Sequence, residues 1–104
     1  MLLSALAPVA AEISAAFVHG SIAKGEDSAT SDVDLMVVSE SLAYADLFAL
    51  LEEASSQLGR AVNPTVYTPA ELTKRVRQKN SFVTRVLAQP QIWLIGGEDD
   101  LTAR

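Results

Sequence analysis

The sequence predicts an α/β (α+β) fold, in which a small mixed sheet of about four strands carries helices packed on it. Three observations favour this fold. Short β-rich runs alternate with helical patterns along the chain. The apolar run Leu35-Met36-Val37-Val38 is typical of a strand buried on both faces near the middle of a sheet. Thr68-Pro69-Ala70-Glu71 has the signature of a helix start.

The elements of the first half follow from helical spacing, β-rich runs and polar turn-forming stretches. They are predicted as a short helix over residues 2–9, a strand over 13–18 that ends at His19-Gly20, a helical turn from Ser21, a loop over 25–31, and a strand over 32–38.

A helix is predicted next, with Ser41 as its N-cap and Gly59 as its C-terminal stop. The following strand, Val62 to Thr68, contains Pro64, and a proline within a strand indicates an edge or a bulge. A capped helix then breaks near Asn80-Ser81 and restarts. The last predicted strand covers residues 92–95 and closes a single domain over residues 1–104.

Composition and charge exclude several classes of protein. The net charge is −5, which argues against a duplex-binding protein that neutralises phosphates. No run approaches the roughly 18 apolar residues of a membrane helix. No basic residue precedes Lys24, so the basic start of a signal peptide is missing. The absence of cysteine fits a cytoplasmic protein, and the apolar fraction of 49% makes a homodimer reasonable.

Five of the eight basic residues form a basic run within twelve positions. Its members are Lys74, Arg75, Arg77, Lys79 and Arg85. Two interpretations stay open, namely a solvated helix face, or a platform for the phosphates of a nucleotide or for an acidic partner.

Two aspartates stand at the start of the apolar strand, just after a glycine-containing loop. Asp32 and Asp34 lie two residues apart, so they project from one face with Cα atoms roughly 6.5 Å apart. Carboxylate oxygens suit Mg²⁺, which recruits substrate phosphates as further ligands. Gly20-Ser21 at a helix start offers backbone N–H groups to a phosphate. The sequence therefore predicts a phosphate-and-metal site.

Other interpretations of this segment fit less well. Glu26 and Asp27 stand where a Walker A loop needs Lys and Ser or Thr. In haloacid-dehalogenase-like phosphatases the paired aspartates follow the apolar strand, whereas here they precede it. An EF-hand needs a further acidic position and a fixed glycine, and neither is present. The remaining alternative is that Asp32 caps a turn and Asp34 is a solvated residue at the strand edge.

Gly20-Ser21, Ala23-Lys24-Gly25 and Ser31-Asp32-Val33-Asp34-Leu35 resemble the signature of the polymerase-β-type nucleotidyltransferases, most closely that of the minimal nucleotidyltransferases. The resemblance implies Mg²⁺-dependent transfer of a nucleoside monophosphate from a nucleoside triphosphate, such as ATP, to an acceptor hydroxyl, with release of pyrophosphate. It also implies a protein partner, commonly a HEPN-domain protein, or a fused DNA-binding helix-turn-helix.

The resemblance assigns roles to individual residues. Asp32 and Asp34 would be catalytic and hold the metals. Gly20 and Ser21 would hold the β- and γ-phosphates, and Lys24 would face the triphosphate or be an exposed loop cation. The remaining motif positions in the nucleotide site are Gly25 and Ser31.

The family usually adds a third carboxylate on the next strand, where this chain has Asn63. An amide is neither a base nor a charge. Glu98, Asp99 and Asp100 lie beyond the last predicted strand and are not expected to substitute for it. The alternative function is therefore a catalytically weak, nucleotide-binding regulatory or antitoxin-like module. His19, just before the glycine loop, is either a packing residue at the strand end or a phosphate contact.

Overall fold

A four-stranded mixed sheet forms the centre of the molecule, in a computed structural model that describes residues 5–20 and 32–97. Its strands are β1 (Ala15–His19), β2 (Val33–Val38), β3 (Val62–Tyr67) and β4 (Ile92–Ile95), in the order β3-β2-β1-β4. β1 is antiparallel to both β2 and β4, and β2 is parallel to β3. The predicted mixed sheet with packed helices is confirmed.

The helices of the described residues cover both faces of this sheet. They are a 3-10 helix (Ala7–Glu12), α1 (Tyr44–Leu58), α2 (Pro69–Arg77) and α3 (Ser81–Ala88). Side chains of α1 belong to the apolar cluster on one face, and side chains of α2 and α3 belong to the cluster on the other.

β2 lies inside the sheet and supplies both clusters, because successive side chains of a strand point to opposite faces. Leu35 and Val37 pack in the α1 cluster, whereas Met36 and Val38 pack in the α2–α3 cluster. All four are at most 1% exposed, which confirms the prediction of a strand buried on both faces.

β3 lies at one edge of the sheet, as Pro64 predicted. The pyrrolidine nitrogen of Pro64 has no hydrogen to donate, which an edge strand tolerates. The backbone N–H of Val62 donates to Ser55 Oγ of α1 at 3.1 Å, so α1 also contacts this strand through a hydrogen bond.

The prediction that Ser41 caps α1 is wrong. The helix begins two residues later, with Ala43 at the N-cap position. The hydroxyl oxygen of Ser39 accepts the backbone N–H groups of Ser41 and Leu42 at 3.3 and 3.2 Å, which holds this segment in a turn before the helix. The Asp46 carboxylate accepts the Ala43 N–H at 3.4 Å.

The other predicted helix ends are confirmed. Gly59 ends α1 with a left-handed φ of 69°. Thr68 and Glu71 form the capping box of α2, with two side-chain-to-backbone hydrogen bonds of 3.0 Å. Asn80 caps α3 by accepting the Val83 N–H at 3.1 Å.

A Schellman motif separates α2 from α3 and explains the predicted break. The N–H of Asn80 donates to the Arg75 carbonyl at 3.0 Å, and the N–H of Lys79 donates to the Val76 carbonyl at 3.1 Å. Lys79 itself adopts a left-handed φ of 53°.

The N-terminal predictions are met only in part. The predicted helix over residues 2–9 starts outside the described residues; within them, Ala5 and Leu6 are helical, and the 3-10 helix follows over Ala7–Glu12. β1 begins at Ala15 rather than at Ile13. The predicted turn at Ser21 and the loop over 25–31 lie outside the described residues. In the described part of the chain, none of the helices has both the length and the apolar character needed to cross a bilayer.

Candidate functional site

The candidate site lies at one end of the sheet, where the ends of three neighbouring strands meet. β1 ends there, while β2 and β3 begin there. The register pairs Asp34 with His19 on one side and with Asn63 on the other. Gly20 follows His19, so the structure brings together four of the predicted positions: Gly20, Asp32, Asp34 and Asn63. Ser21, Lys24, Gly25 and Ser31 lie outside the described residues.

Asn63 lies directly against the first aspartate. Its Nδ2 donates a hydrogen bond to Asp32 Oδ2 at 3.2 Å, and both residues are exposed. The position of the family's third carboxylate is thus within contact distance of Asp32, but it presents an N–H donor instead of a second negative charge.

Gly20 leaves room for the second aspartate. Its φ is 81°, a left-handed conformation that residues with a Cβ rarely adopt. A Cβ at this position would also overlap Asp34 Oδ2. The backbone conformation therefore favours glycine here, and the absence of a Cβ leaves the space into which the half-buried Asp34 carboxylate extends.

His19 packs beside this carboxylate in aromatic surroundings. It is 7% exposed, and its ring centroid lies 5.9 Å from that of Phe17 and 6.2 Å from that of Phe82. Burial lowers the pKa of His19, and the negative charge of Asp34 opposes this shift without reversing it. No described residue supplies a hydrogen-bond partner to Nε2.

A cavity of about 230 Å³ opens beside these residues. One wall consists of the strand ends, including His19, Gly20, Asp34 and Asn63. The facing wall is helix α3. Known ligand pockets span about 300–1,000 Å³, so this cavity would hold part of a nucleoside triphosphate rather than all of it.

Helix α3 presents one face to the cavity. Phe82, Arg85, Val86 and Gln89 line it, and they are spaced three, four and seven residues apart along the helix and its C-terminal cap. Of this wall, only Arg85 was anticipated from the sequence, through the open interpretation of the basic run as a platform for phosphates. The helical spacing of these four residues was visible, but nothing in the sequence places α3 opposite Asp34.

The structure also divides the basic run. Lys74, Arg75 and Arg77 lie on α2, and Lys79 follows that helix. These four are exposed and none of them lines the cavity, whereas Arg85 does.

A family model described as "Polymerase beta, Nucleotidyltransferase" matches residues 3–86. The chain belongs to this family. The match spans the glycine loop, both aspartates, Asn63 and Arg85, and it confirms the resemblance stated from the motif residues.

Solved structures share the fold of this nucleotidyltransferase-family chain. A crystal structure of a toxin-antitoxin with AMP-PNP has a TM-score of 0.68 and 17% identity, covering 95% of this chain and 73% of the other. A variant of the toxin-antitoxin MntA-HpeT has a TM-score of 0.67 and 14% identity, covering 96% and 74%. A second MntA-HpeT variant has a TM-score of 0.66 and 17% identity, covering 95% and 72%. No curated protein matches the chain.

The site has donors for a divalent cation, although fewer than the family usually provides. Asp32 and Asp34 offer carboxylate oxygens, the ligand type that Mg²⁺ prefers. Within residues 5–20 and 32–97, no group of three or more acidic, histidine or cysteine side chains could hold a metal. Two carboxylates still fit Mg²⁺, which keeps several waters and shares its remaining positions with substrate phosphates.

Proposed function

We propose that this chain is a single nucleotidyltransferase domain over residues 1–104. It would transfer a nucleoside monophosphate from a nucleoside triphosphate to an acceptor hydroxyl, with Mg²⁺ as cofactor and pyrophosphate as the second product. The observation that carries the proposal is the convergence of Gly20, Asp32 and Asp34 at one strand edge beside a cavity, in a chain of the polymerase β nucleotidyltransferase family.

Each described residue of the site would have a separate role in the reaction. Asp32 and Asp34 would hold Mg²⁺, which neutralises phosphate charge when bound. Because Gly20 has no Cβ, the Asp34 carboxylate can occupy the space beside it. The acceptor oxygen would attack the α-phosphorus as the bond to the β-phosphate oxygen breaks, pyrophosphate would leave, and the hydroxyl proton would pass to solvent. The contribution of the chain is positioning and electrostatic stabilisation.

The residues outside the described ranges would complete the nucleotide site. Ser21 would bind the β- and γ-phosphates together with Gly20, and Lys24 would face the triphosphate. The two other motif positions are Gly25 and Ser31. These four assignments are supported by the motif spacing and by the family match over residues 3–86.

Pyrophosphate release tests this function. The protein is incubated with Mg²⁺ and each labelled triphosphate, with the variants Asp34→Asn and Asp32→Asn alongside. We expect each variant to lower release about 100-fold or more, because it removes a charged ligand. Glu40→Gln, an exposed acid away from the site, serves as the matched control and should release pyrophosphate normally. Release that survives both aspartate variants would refute the assignment.

A second function is favoured by Asn63. Its amide occupies the position of the third carboxylate and bonds to Asp32, so the chain could bind nucleotide and turn it over weakly or not at all. Such a regulatory or antitoxin-like module would be consistent with the toxin-antitoxin structures that share the fold. Tight Mg²⁺-dependent triphosphate binding without pyrophosphate release would select this function over the enzyme.

The partner and the acceptor would be found in the native host. A HEPN-type protein or a DNA-binding domain is the proposed partner, and a second copy of the chain is the alternative. A pull-down followed by mass analysis identifies bound proteins and any nucleotidylated residue. A nucleotidylated partner would support the enzyme, and an unmodified partner would support the module.

A further inference from the structure

Arg85 differs from the rest of the basic run because it shares a cavity with a site carboxylate. It lines the same space as Asp34, from the opposite wall. The two groups form no ion pair with each other, and none joins Arg85 to another described residue. Arg85 is exposed, so its guanidinium is accessible to a ligand.

The charges of the two walls define what would fit between them. Asp34 presents a negative group on the sheet side, and Arg85 presents a positive group on the helix side. A complementary ligand carries a cation toward Asp34 and an anion toward Arg85. A phosphate chain that carries a divalent cation has this arrangement.

The helix that carries Arg85 is well anchored. Val83 and Val86 are 1% and 3% exposed in the apolar cluster beneath α3, and Asn80 caps its first turn. Arg85 therefore extends from an element with a fixed position, although its own side chain is exposed. A guanidinium can donate two parallel hydrogen bonds to phosphate oxygens, which an ammonium group cannot do.

We propose that Arg85 binds a phosphate group of the nucleotide in the cavity, opposite Asp34. This inference rests on the proposed function and assigns it a substrate-binding residue on α3, outside the glycine and aspartate motif. The remaining four basic residues serve as solvated surface. An acidic partner at Arg85 is the competing outcome that the experiment separates.

The experiment measures nucleotide affinity by calorimetry in Mg²⁺, with the full chain and the triphosphate that binds best. Arg85→Gln removes the charge, and Arg85→Lys keeps the charge but cannot donate two parallel hydrogen bonds. Arg77→Gln is the matched control, because it makes the same change in the basic run outside the cavity. The corresponding nucleoside, which lacks phosphate, is titrated in parallel. Thermal unfolding checks that each variant is folded.

We expect Arg85→Gln to weaken triphosphate binding about tenfold, the loss of one charge-assisted hydrogen-bonding group in a partly exposed site. Arg85→Lys should lose less, and Arg77→Gln should bind like the natural chain. Nucleoside affinity should not change.

Three results would overturn the inference. Triphosphate affinity that is equal in Arg85→Gln and the natural chain would exclude the phosphate contact while leaving the proposed function intact, and would favour an acidic partner. An equal loss with Arg77→Gln would show a general charge effect. Failure of the natural chain to bind any triphosphate would overturn both this inference and the proposed function.

Discussion

Asn63 is the residue that separates the two proposed functions. The family usually has a carboxylate at this position; the parallel register of β2 and β3 pairs Asn63 with Asp34, and its side chain contacts Asp32. Here its side-chain N–H satisfies one oxygen of Asp32. The two aspartates are thereby spared a third negative charge, and this position offers the proposed metal site neither a carboxylate ligand nor a base.

Replacing Asn63 by Asp should make the protein more dependent on a divalent cation. Without Mg²⁺ the variant loses the hydrogen bond to Asp32 and gains a repulsive charge, so we expect the free energy of unfolding to fall by up to about 1 kcal/mol in this exposed pair. Added Mg²⁺ should raise the melting temperature more in Asn63→Asp than in the natural chain. Asn63→Ala, which loses the bond without adding charge, is the control. An identical Mg²⁺ response in all three proteins would contradict this prediction.

The glycine before the loop allows a matched comparison with the glycine that ends α1. Gly20 and Gly59 both have left-handed φ angles, 81° and 69°, but only Gly20 lies against another residue, Asp34. Gly59→Ala should cost about 1–2 kcal/mol of unfolding free energy from backbone conformation alone. Gly20→Ala should cost more and should also weaken Mg²⁺-nucleotide binding, because the Asp34 carboxylate must move. Chemical denaturation and calorimetry measure the two effects, and equal losses in the two variants would argue against the close packing.

His19 predicts a pH dependence of stability, and it is the single histidine of the chain. Burial lowers its pKa in the folded protein below the ordinary value of 6.5, so the unfolded chain binds the proton more readily. The contribution is fully present above pH 6.5 and is lost as the pH falls below that value. The slope cannot exceed about 1.4 kcal/mol per pH unit for one proton.

Urea unfolding between pH 7.5 and 5.5 measures this contribution. The control is His19→Phe, which keeps an aromatic ring between Phe17 and Phe82 but does not titrate. We expect a shallower pH dependence in the variant. The same slope in both proteins would assign the effect to other groups.

At the scale of the elements, the junction of α2 and α3 contains a residue whose replacement should stabilise the protein. Lys79 holds the left-handed position of the Schellman motif, which glycine occupies at less conformational cost. Lys79→Gly should raise the free energy of unfolding by about 0.5–1 kcal/mol. Gln78→Gly, one residue earlier in a right-handed conformation, should lower it. Thermal unfolding distinguishes the two, and destabilisation by both would rule out a conformational origin.

Local sequence signals predicted helix ends only where the partners are close in sequence. Thr68 and Glu71 bond to each other, and the pattern alone revealed their capping box. Ser41 carries the same kind of signal, but its hydroxyl donates to Glu12 Oε1 at 3.2 Å. That partner is 29 residues away, and no local pattern shows which partner a serine will take.

The same limit applies to the candidate site. The motif spacing identified Gly20, Asp32 and Asp34 because they lie close together in the chain. The contact between Asn63 and Asp32 needed the register of two parallel strands. The separation of Arg85 from the basic run needed the packing of a second helix, which depends on the whole α2–α3 cluster.

At the scale of the whole molecule, the sheet has an apolar cluster on each face. Two adjacent residues of α1 mark the boundary between the α1 cluster and solvent. Leu47 is fully buried in the α1 cluster, whereas Phe48 is 44% exposed and stacks on Tyr44. Leu47→Ala should lower the free energy of unfolding by about 2–4 kcal/mol through lost burial and a cavity. Phe48→Ala should cost much less. Denaturant titration measures both, and a larger loss at Phe48 would place that ring at an unrecognised interface.

The strand directions decide which backbone groups of β3 face outward. The carbonyl of Ala61 accepts the backbone N–H of Val33, which begins β2, at 2.8 Å, and the carbonyl of Tyr67 accepts the N–H of Ser39, just after β2, at 2.9 Å. Alternate residues of a strand direct their backbone N–H and C=O groups to the same side. The backbone groups of the even-numbered residues between Ala61 and Tyr67 therefore point away from β2, toward the open edge.

Those outward positions are Val62, Pro64 and Val66, and the edge they form is a poor template for another strand. The Val62 N–H already donates to Ser55, and Pro64 has none, so Val66 holds the one outward donor left in this strand. A chain adding itself here would find too few donors to continue the sheet, which is how natural edge strands avoid aggregation. A protein that recognises this side of the molecule is therefore expected to do so mainly through side chains and not by extending the sheet.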